Sequence, residues 1–149
     1  WLQPKELVEV AMAYNKAWEA QDYEAMRKYE SWKGGEALEG FFYLQEFDPK
    51  FGMISPKVTK VEEKEDGEYL VLVLIKHNPP PQFIQHLQDK NMKVRSTLRQ
   101  IWEKQEDGSF KHLFHVEKQR MMDLMQQPGM RPPKPPTEVR PPADKGQPS

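Results

Sequence analysis

Tyr14 and His112 are side chains able to donate or shuttle a proton, and both fall on predicted apolar faces. His112 is expected to face Trp102 across a hairpin, and a lone His in such a place reads first as a hydrogen-bonded core residue. Removing a proton next to a carbonyl also requires a carboxylate with a tuned pKa. No carboxylate falls on the inward face expected for that hairpin. Asp22 and Glu36 sit at predicted helix ends and read as caps, and Glu63 lies on a predicted edge strand. No residue is therefore assigned a catalytic role, and the balance leans away from an enzyme. His112 and His115 are three apart on a predicted strand, so they point to opposite faces and cannot share a metal. His77 and His86 have no partner nearby in sequence, and Cys is absent. No metal site, thiol chemistry or cofactor is expected.

A different chemistry is suggested by Arg95, Arg99, Lys111 and His115. They fall on the outward side of the same hairpin and could take an anion or an acidic partner. The plainer alternative is a solvated face with cross-strand pairing to Glu103 and Glu117.

The elements that position these residues follow from periodicity and turn chemistry. Residues 4–21 predict an amphipathic helix with Leu7, Val10, Ala11, Tyr14 and Trp18 on one side. Asp22 suits the N-cap of a second, short helix carrying Tyr23, Met26 and Tyr29. Ala37, Leu38, Phe41 and Leu44 predict a third helix with these residues on its inner face, closed by Asp48-Pro49. Two Glu-Asp-Gly segments, 65–67 and 106–108, each divide a pair of strand-like runs. A three-residue loop with the left-handed position on Gly pairs Lys64 with Glu68 and Val61 with Val71. The same loop pairs Glu103 with Lys111, Trp102 with His112 and Ile101 with Leu113. Residues 58–64 read as an acid-rich edge strand. Residues 69–77 are apolar on both faces, as in a central strand covered on both sides. The last hairpin is expected to run over 94–104 and 110–118. Its inward face carries Leu98, Trp102, His112 and Phe114. Phe83, Ile84 and Leu87 could form one side of a short helix after Pro79-Pro80-Pro81.

The chain has 149 residues and a net charge of -1. That length suits one domain with a real core, and the balanced charge argues against nucleic-acid binding. No apolar run approaches the roughly 18 residues of a membrane span. The domain is expected over 1–127, followed by a Pro-rich extended tail over 128–149 that has little to bury. The chain begins at Trp1 rather than Met, which slightly favours a translocated protein of an organelle or the periplasm.

The order of a long helix, a short helix, a third helix and a run of antiparallel strands resembles the nuclear-transport-factor-2-like superfamily. The junction Ala17-Trp18-Glu19-Ala20-Gln21-Asp22-Tyr23-Glu24-Ala25-Met26 is similar to that family's first helix junction. The resemblance covers residues 4–120. It implies an α+β cone, with N-terminal helices packed on a curved antiparallel sheet around an apolar cavity. Tyr14, Trp18, Leu98, Trp102, His112 and Phe114 would line that cavity. The family also places a short strand between its second and third helices, for which only 31–33 is expected here. Its members include ketosteroid isomerases, dehydratases and polyketide cyclases, and also transport, assembly and secretion modules, so the fold does not choose the function.

The leading expectation is a non-enzymatic adaptor subunit that binds other proteins in a larger assembly or homodimer. Phe83, Ile84, Leu87, Arg95, Arg99, Met130 and Arg131 are the expected contact residues. The alternatives are a small-ligand or isomerase-type site in the cone and a periplasmic domain of secretion machinery.

Overall fold

The computed structural model describes residues 4–89 and 91–126. The tail, with Met130 and Arg131, and the domain boundary at 127 lie outside the described residues.

Helix α1 spans Lys5–Glu19, and Leu7, Ala11 and Tyr14 are its fully buried apolar side chains. Their spacing of four and three places them on one side of the helix, against the sheet. Helix α2 spans Tyr23–Arg27, and the Asp22 carboxylate accepts the Ala25 N–H at its start, as a cap should. Strand β1 follows at once and is only Glu30–Ser31. Helix α3 is Gly40–Leu44. The long strands are β2 (Ile54–Glu63), β3 (Glu68–His77) and β4 (Val94–Lys104), with the short helix α4 (Pro81–Ile84) between β3 and β4. Strand β5 (Phe110–Leu113) leads directly into helix α5 (Phe114–Met125).

The sheet order is β1-β5-β4-β3-β2. The four longer strands pair antiparallel, and β1 joins β5 in parallel with Glu30 opposite His112. The sheet is therefore mixed rather than purely antiparallel. Helices packed on one sheet, with a short strand between α2 and α3, form an α+β architecture in the expected element order. The core lies between α1 and the inner sheet face, on Val61, Val71, Val73, Ile75 and Trp102.

Both hairpins keep the expected registers, with Val61 opposite Val71, Trp102 opposite His112 and Glu103 opposite Lys111. Their loops differ. Gly108 takes the left-handed position at φ 90°, but in the first loop Asp66 (φ 59°) and Gly67 (φ 76°) both do. Two consecutive left-handed residues match the twist of the flanking strands, and Asp tolerates that conformation better than most residues.

Four expectations are corrected. Strand β5 stops at Leu113, so residues 114–118 are helical and Phe114 opens α5 instead of extending the hairpin. Glu117 accepts the Ile101 N–H that a longer strand would have paired. Helix α3 is shorter than expected and turned the other way. It buries Tyr43, while Phe41 (65% exposed) and Phe42 (62% exposed) face outward. Helix α4 ends at Ile84, leaving Leu87 beyond it. Finally, the second face of β3 is covered only at one end: Val71, Val73 and Ile75 are fully buried on the first face, whereas on the other Leu70 is buried but Leu72 and Leu74 stay half-buried.

Candidate functional site

Two neighbouring groups of polar side chains lie between the helices and the inner face of the sheet. The first is centred on Glu30, a carboxylate that strand β1 carries into the core. Tyr14 of α1 donates its hydroxyl to Glu30 Oε2 at 2.6 Å, and Tyr43 of α3 donates to the same oxygen at 2.5 Å. The second oxygen, Oε1, lies 2.6 Å from His112 Nδ1. On the far side of the ring, His112 Nε2 lies 2.8 Å from Glu117 Oε1. The result is a continuous chain of hydrogen bonds from two tyrosines through Glu30 and His112 to Glu117. Elements from both ends of the chain hold it: α1, β1 and α3 on one side, β5 and α5 on the other.

The electrostatics follow from this geometry. Burial works against a charge on His112, but the carboxylates of Glu117 and Glu30 outweigh it and raise its pKa to about 10. The imidazolium, with both nitrogens protonated, then donates one hydrogen bond to each carboxylate. Burial, reinforced by Glu30, pushes Tyr14 and Tyr43 above the usual tyrosine range, so both remain neutral donors. Every strong donor that faces Glu30 is thereby used, as a buried charge requires.

The second group is an amide pair. Asn15 and Gln100 exchange hydrogen bonds at 3.1 and 2.9 Å, and Asn15 also donates to the Ala11 carbonyl. The Trp102 indole N–H points at the same Gln100 oxygen at 3.3 Å.

Of the expected cavity residues, Tyr14, Trp102 and His112 are brought together, with ring centres 4.8 to 5.5 Å apart. Their rings fill the space between α1 and the sheet, and none of them is more than 3% exposed. Leu98 lies on the same inner face, partly buried. Phe114 sits apart at the head of α5, against Tyr43 and Trp32. Trp18 packs on Phe47 and Phe51, at a separate small hollow of about 230 Å³. The inward carboxylate that the hairpin lacks is supplied by Glu30. Nothing local marks it for burial: a charged residue in a two-residue strand has no periodicity to read. The signal available was the short strand that the family resemblance implies between the second and third helices.

The chemistry open to this cluster is proton sharing along a fixed line. Glu117 is its outlet. This side chain, 28% exposed, also lines a hollow of about 810 Å³ beneath α5. The apolar lining there comes from Tyr69, Leu70, Ile101, Met121 and Leu124, with Arg99 and Arg120 among the charged groups. Arg120 forms a two-pronged ion pair with Glu68 at 2.8 and 3.0 Å, tying α5 to the start of β3. Among the described residues, no group of three or more His, Cys, Asp or Glu side chains is arranged to hold a metal ion. Among them, too, no helix is long and apolar enough to cross a membrane.

The outer sheet face is arranged in rows, because residues paired across strands share a face. Lys60, Leu72 and Arg99 form one row, Lys57, Leu74 and Thr97 the next, and Ile54, Lys76 and Arg95 a third. Arg95 and Arg99 are thus together, as expected. Lys111, paired with Glu103, keeps that side of the sheet but reaches away to the Lys28 carbonyl, whereas His115 lies in α5 and contacts the Glu36 carbonyl. Phe83, Ile84 and Leu87 belong to the connection between β3 and β4 rather than to this face.

No protein-family model matches the chain, and no curated protein matches it. Among solved structures, it is similar to a ketosteroid isomerase-like protein from Erwinia carotovora atroseptica SCRI1043. The TM-score is 0.43 at 15% sequence identity, covering 74% of this chain and 92% of that one.

Proposed function

We propose that this chain is a non-catalytic protein-binding module, a subunit that docks a partner on the outer face of its sheet. One observation carries the reading: Leu72 and Leu74 lie half-buried on a central strand that, among the described residues, no helix covers there. A strand apolar on both faces is ordinarily sheltered on both. Here α5 crosses only the end that holds Leu70, which is 8% exposed. The interior agrees, since Tyr14, Trp102 and His112 pack ring against ring there, with centres 4.8 to 5.5 Å apart. The exposed Phe41 and Phe42 of α3 and Met121, Met122 and Met125 of α5 add further apolar surface of the kind used in assembly.

The test is a pair of variants, Leu72→Ser and Leu74→Ser, in the full chain. A partner recovered with the wild-type protein is purified and rebound. The reading expects the double variant to keep its fold, by circular dichroism, and to lose most of the binding. Undiminished binding by a folded double variant overturns it.

A second reading is favoured by the hollow beneath α5, whose volume lies within the range of small-molecule sites. In that reading the hollow takes an apolar ligand, and Leu124→Trp, which fills it, removes the ligand-induced rise in melting temperature. A ligand that stabilises Leu124→Trp as much as the wild type excludes it.

A further inference from the structure

The three rows of the outer face have a charge pattern that points to the chemistry of the occupant. Each leucine is bordered by cations: Leu72 lies between Lys60 and Arg99, and Leu74 has Lys57 beside it. In the third row Lys76 stands directly opposite Arg95. Like charges directly opposite on neighbouring strands destabilise a sheet. Among the described residues, no acid comes within ion-pair distance of Lys57, Lys76, Arg95 or Arg99, although all four are exposed. Lys60 alone has one, Glu62 at 3.9 Å. Elsewhere the same chain pairs its exposed charges closely, as in Arg120 with Glu68, Lys118 with Glu46 and Lys33 with Glu103. On this face the unpaired cations are grouped around Leu72 and Leu74.

We propose that the segment this face receives is an acidic stretch of another protein, with Asp or Glu flanking apolar side chains. This inference rests on the protein-binding reading above and names the partner chemistry of the same site. The leucines require apolar contact in the middle of each row. The cations require carboxylates on either side, roughly 5 Å away across the strand spacing. A phosphate backbone meets the cations but leaves Leu72 and Leu74 unmatched. Charge complementarity of this sort acts mainly on association rate and selectivity, and it weakens as salt rises.

The probe is a fluorescein-labelled peptide with Glu and Leu at alternate same-face positions, spaced by Thr, and titrated into the full chain by anisotropy. The Lys-for-Glu peptide, duplex DNA and anionic lipid vesicles serve as competitors. The expected result is salt-sensitive binding of the acidic peptide. Lys76→Glu with Arg95→Glu should weaken it about tenfold or more, since both side chains are exposed and the fold does not depend on them. The proposal is overturned if the Lys peptide binds as well, if DNA or vesicles displace the acidic peptide at lower concentration, or if charge reversal leaves the affinity unchanged. The purified partner separates the two readings. If Leu72→Ser with Leu74→Ser abolishes its binding while charge reversal does not, the docking face stands and the acidic chemistry falls. If neither pair of substitutions matters, both fall.

Discussion

Glu30 and His112 face one another across the parallel pairing of β1 with β5, with Nδ1 2.6 Å from Oε1, although 82 positions separate them in sequence. Neither belongs to a long element, and each is buried because the other is there. The pair ties the N-terminal helices to the last strand, and Glu117 extends the tie to α5.

Glu30→Ala should be among the most destabilising single substitutions. It leaves two buried tyrosine hydroxyls without their acceptor and His112 with one carboxylate instead of two. The expected loss is about 3–5 kcal/mol, the range for removing one partner of a buried charge pair. Denaturant unfolding of the variant and the wild type measures it, and Tyr43→Phe, which removes one hydrogen bond, should cost only about 1 kcal/mol.

The His112 interaction makes stability depend on pH in a defined direction. Its folded pKa, raised to about 10 from the ordinary imidazole value of 6.5, means that the native state holds a proton the unfolded chain gives up. The contribution is complete below about pH 6.5, falls as pH rises, and is gone above about pH 10. Unfolding free energy should therefore decline across that window. His112→Gln should flatten the decline, and an unchanged slope in that variant would show that another group is responsible.

The Asn15–Gln100 amide pair should behave as a coupled unit. Each single change to Ala strands the other amide in the core, at about 1–3 kcal/mol. The double change should cost less than the sum of the two, leaving a coupling of roughly 0.5–3 kcal/mol in a double-mutant cycle. Additive losses would mean that the two side chains find separate partners.

Helix α5 should depend on Glu117 far more than on Arg120. The Arg120–Glu68 ion pair is solvent-facing, with the Arg120 side chain 53% exposed, and exposed pairs contribute about 0–1 kcal/mol. Glu117 instead accepts from the buried His112 and from the Ile101 N–H. Hydrogen exchange across residues 114–125 should speed up markedly in Glu117→Ala and little in Arg120→Ala.

The two hairpin loops offer an internal comparison. Gly108 sits at φ 90°, so Gly108→Ala should cost about 1–2 kcal/mol in backbone strain. Asp66 already occupies the left-handed region at φ 59°, so Asp66→Gly should be neutral or slightly stabilising. Melting temperatures of the two variants test the difference in sign.

Much of the architecture was legible along the chain. The Leu7, Ala11, Tyr14 spacing, the Asp22 cap and the two Glu-Asp-Gly loops are local signals, acting over a few residues by periodicity, hydrogen bonding and permitted φ. They sufficed for the first two helices, both hairpin registers, the edge position of β2 and the inward side of Trp102 and His112. The third helix misled because four aromatic and aliphatic residues at helical spacing resemble a core face. Only Tyr43, which finds Glu30, is buried there. The turn from strand to helix at Phe114 was equally illegible, since Phe110, His112, Phe114 and Val116 alternate as a strand would.

Most of the local elements, and the core-facing side of α1, α2 and the hairpins, are written in short stretches of the chain. The tertiary structure alone decided that a charged residue of a two-residue strand would be buried, and that α5 would leave Leu72 and Leu74 uncovered. Local conformation is chosen by neighbours in the chain, which a sequence displays. The burial of Glu30 depends on Tyr14, Tyr43 and His112, donors that only folding brings within 2.6 Å of its carboxylate.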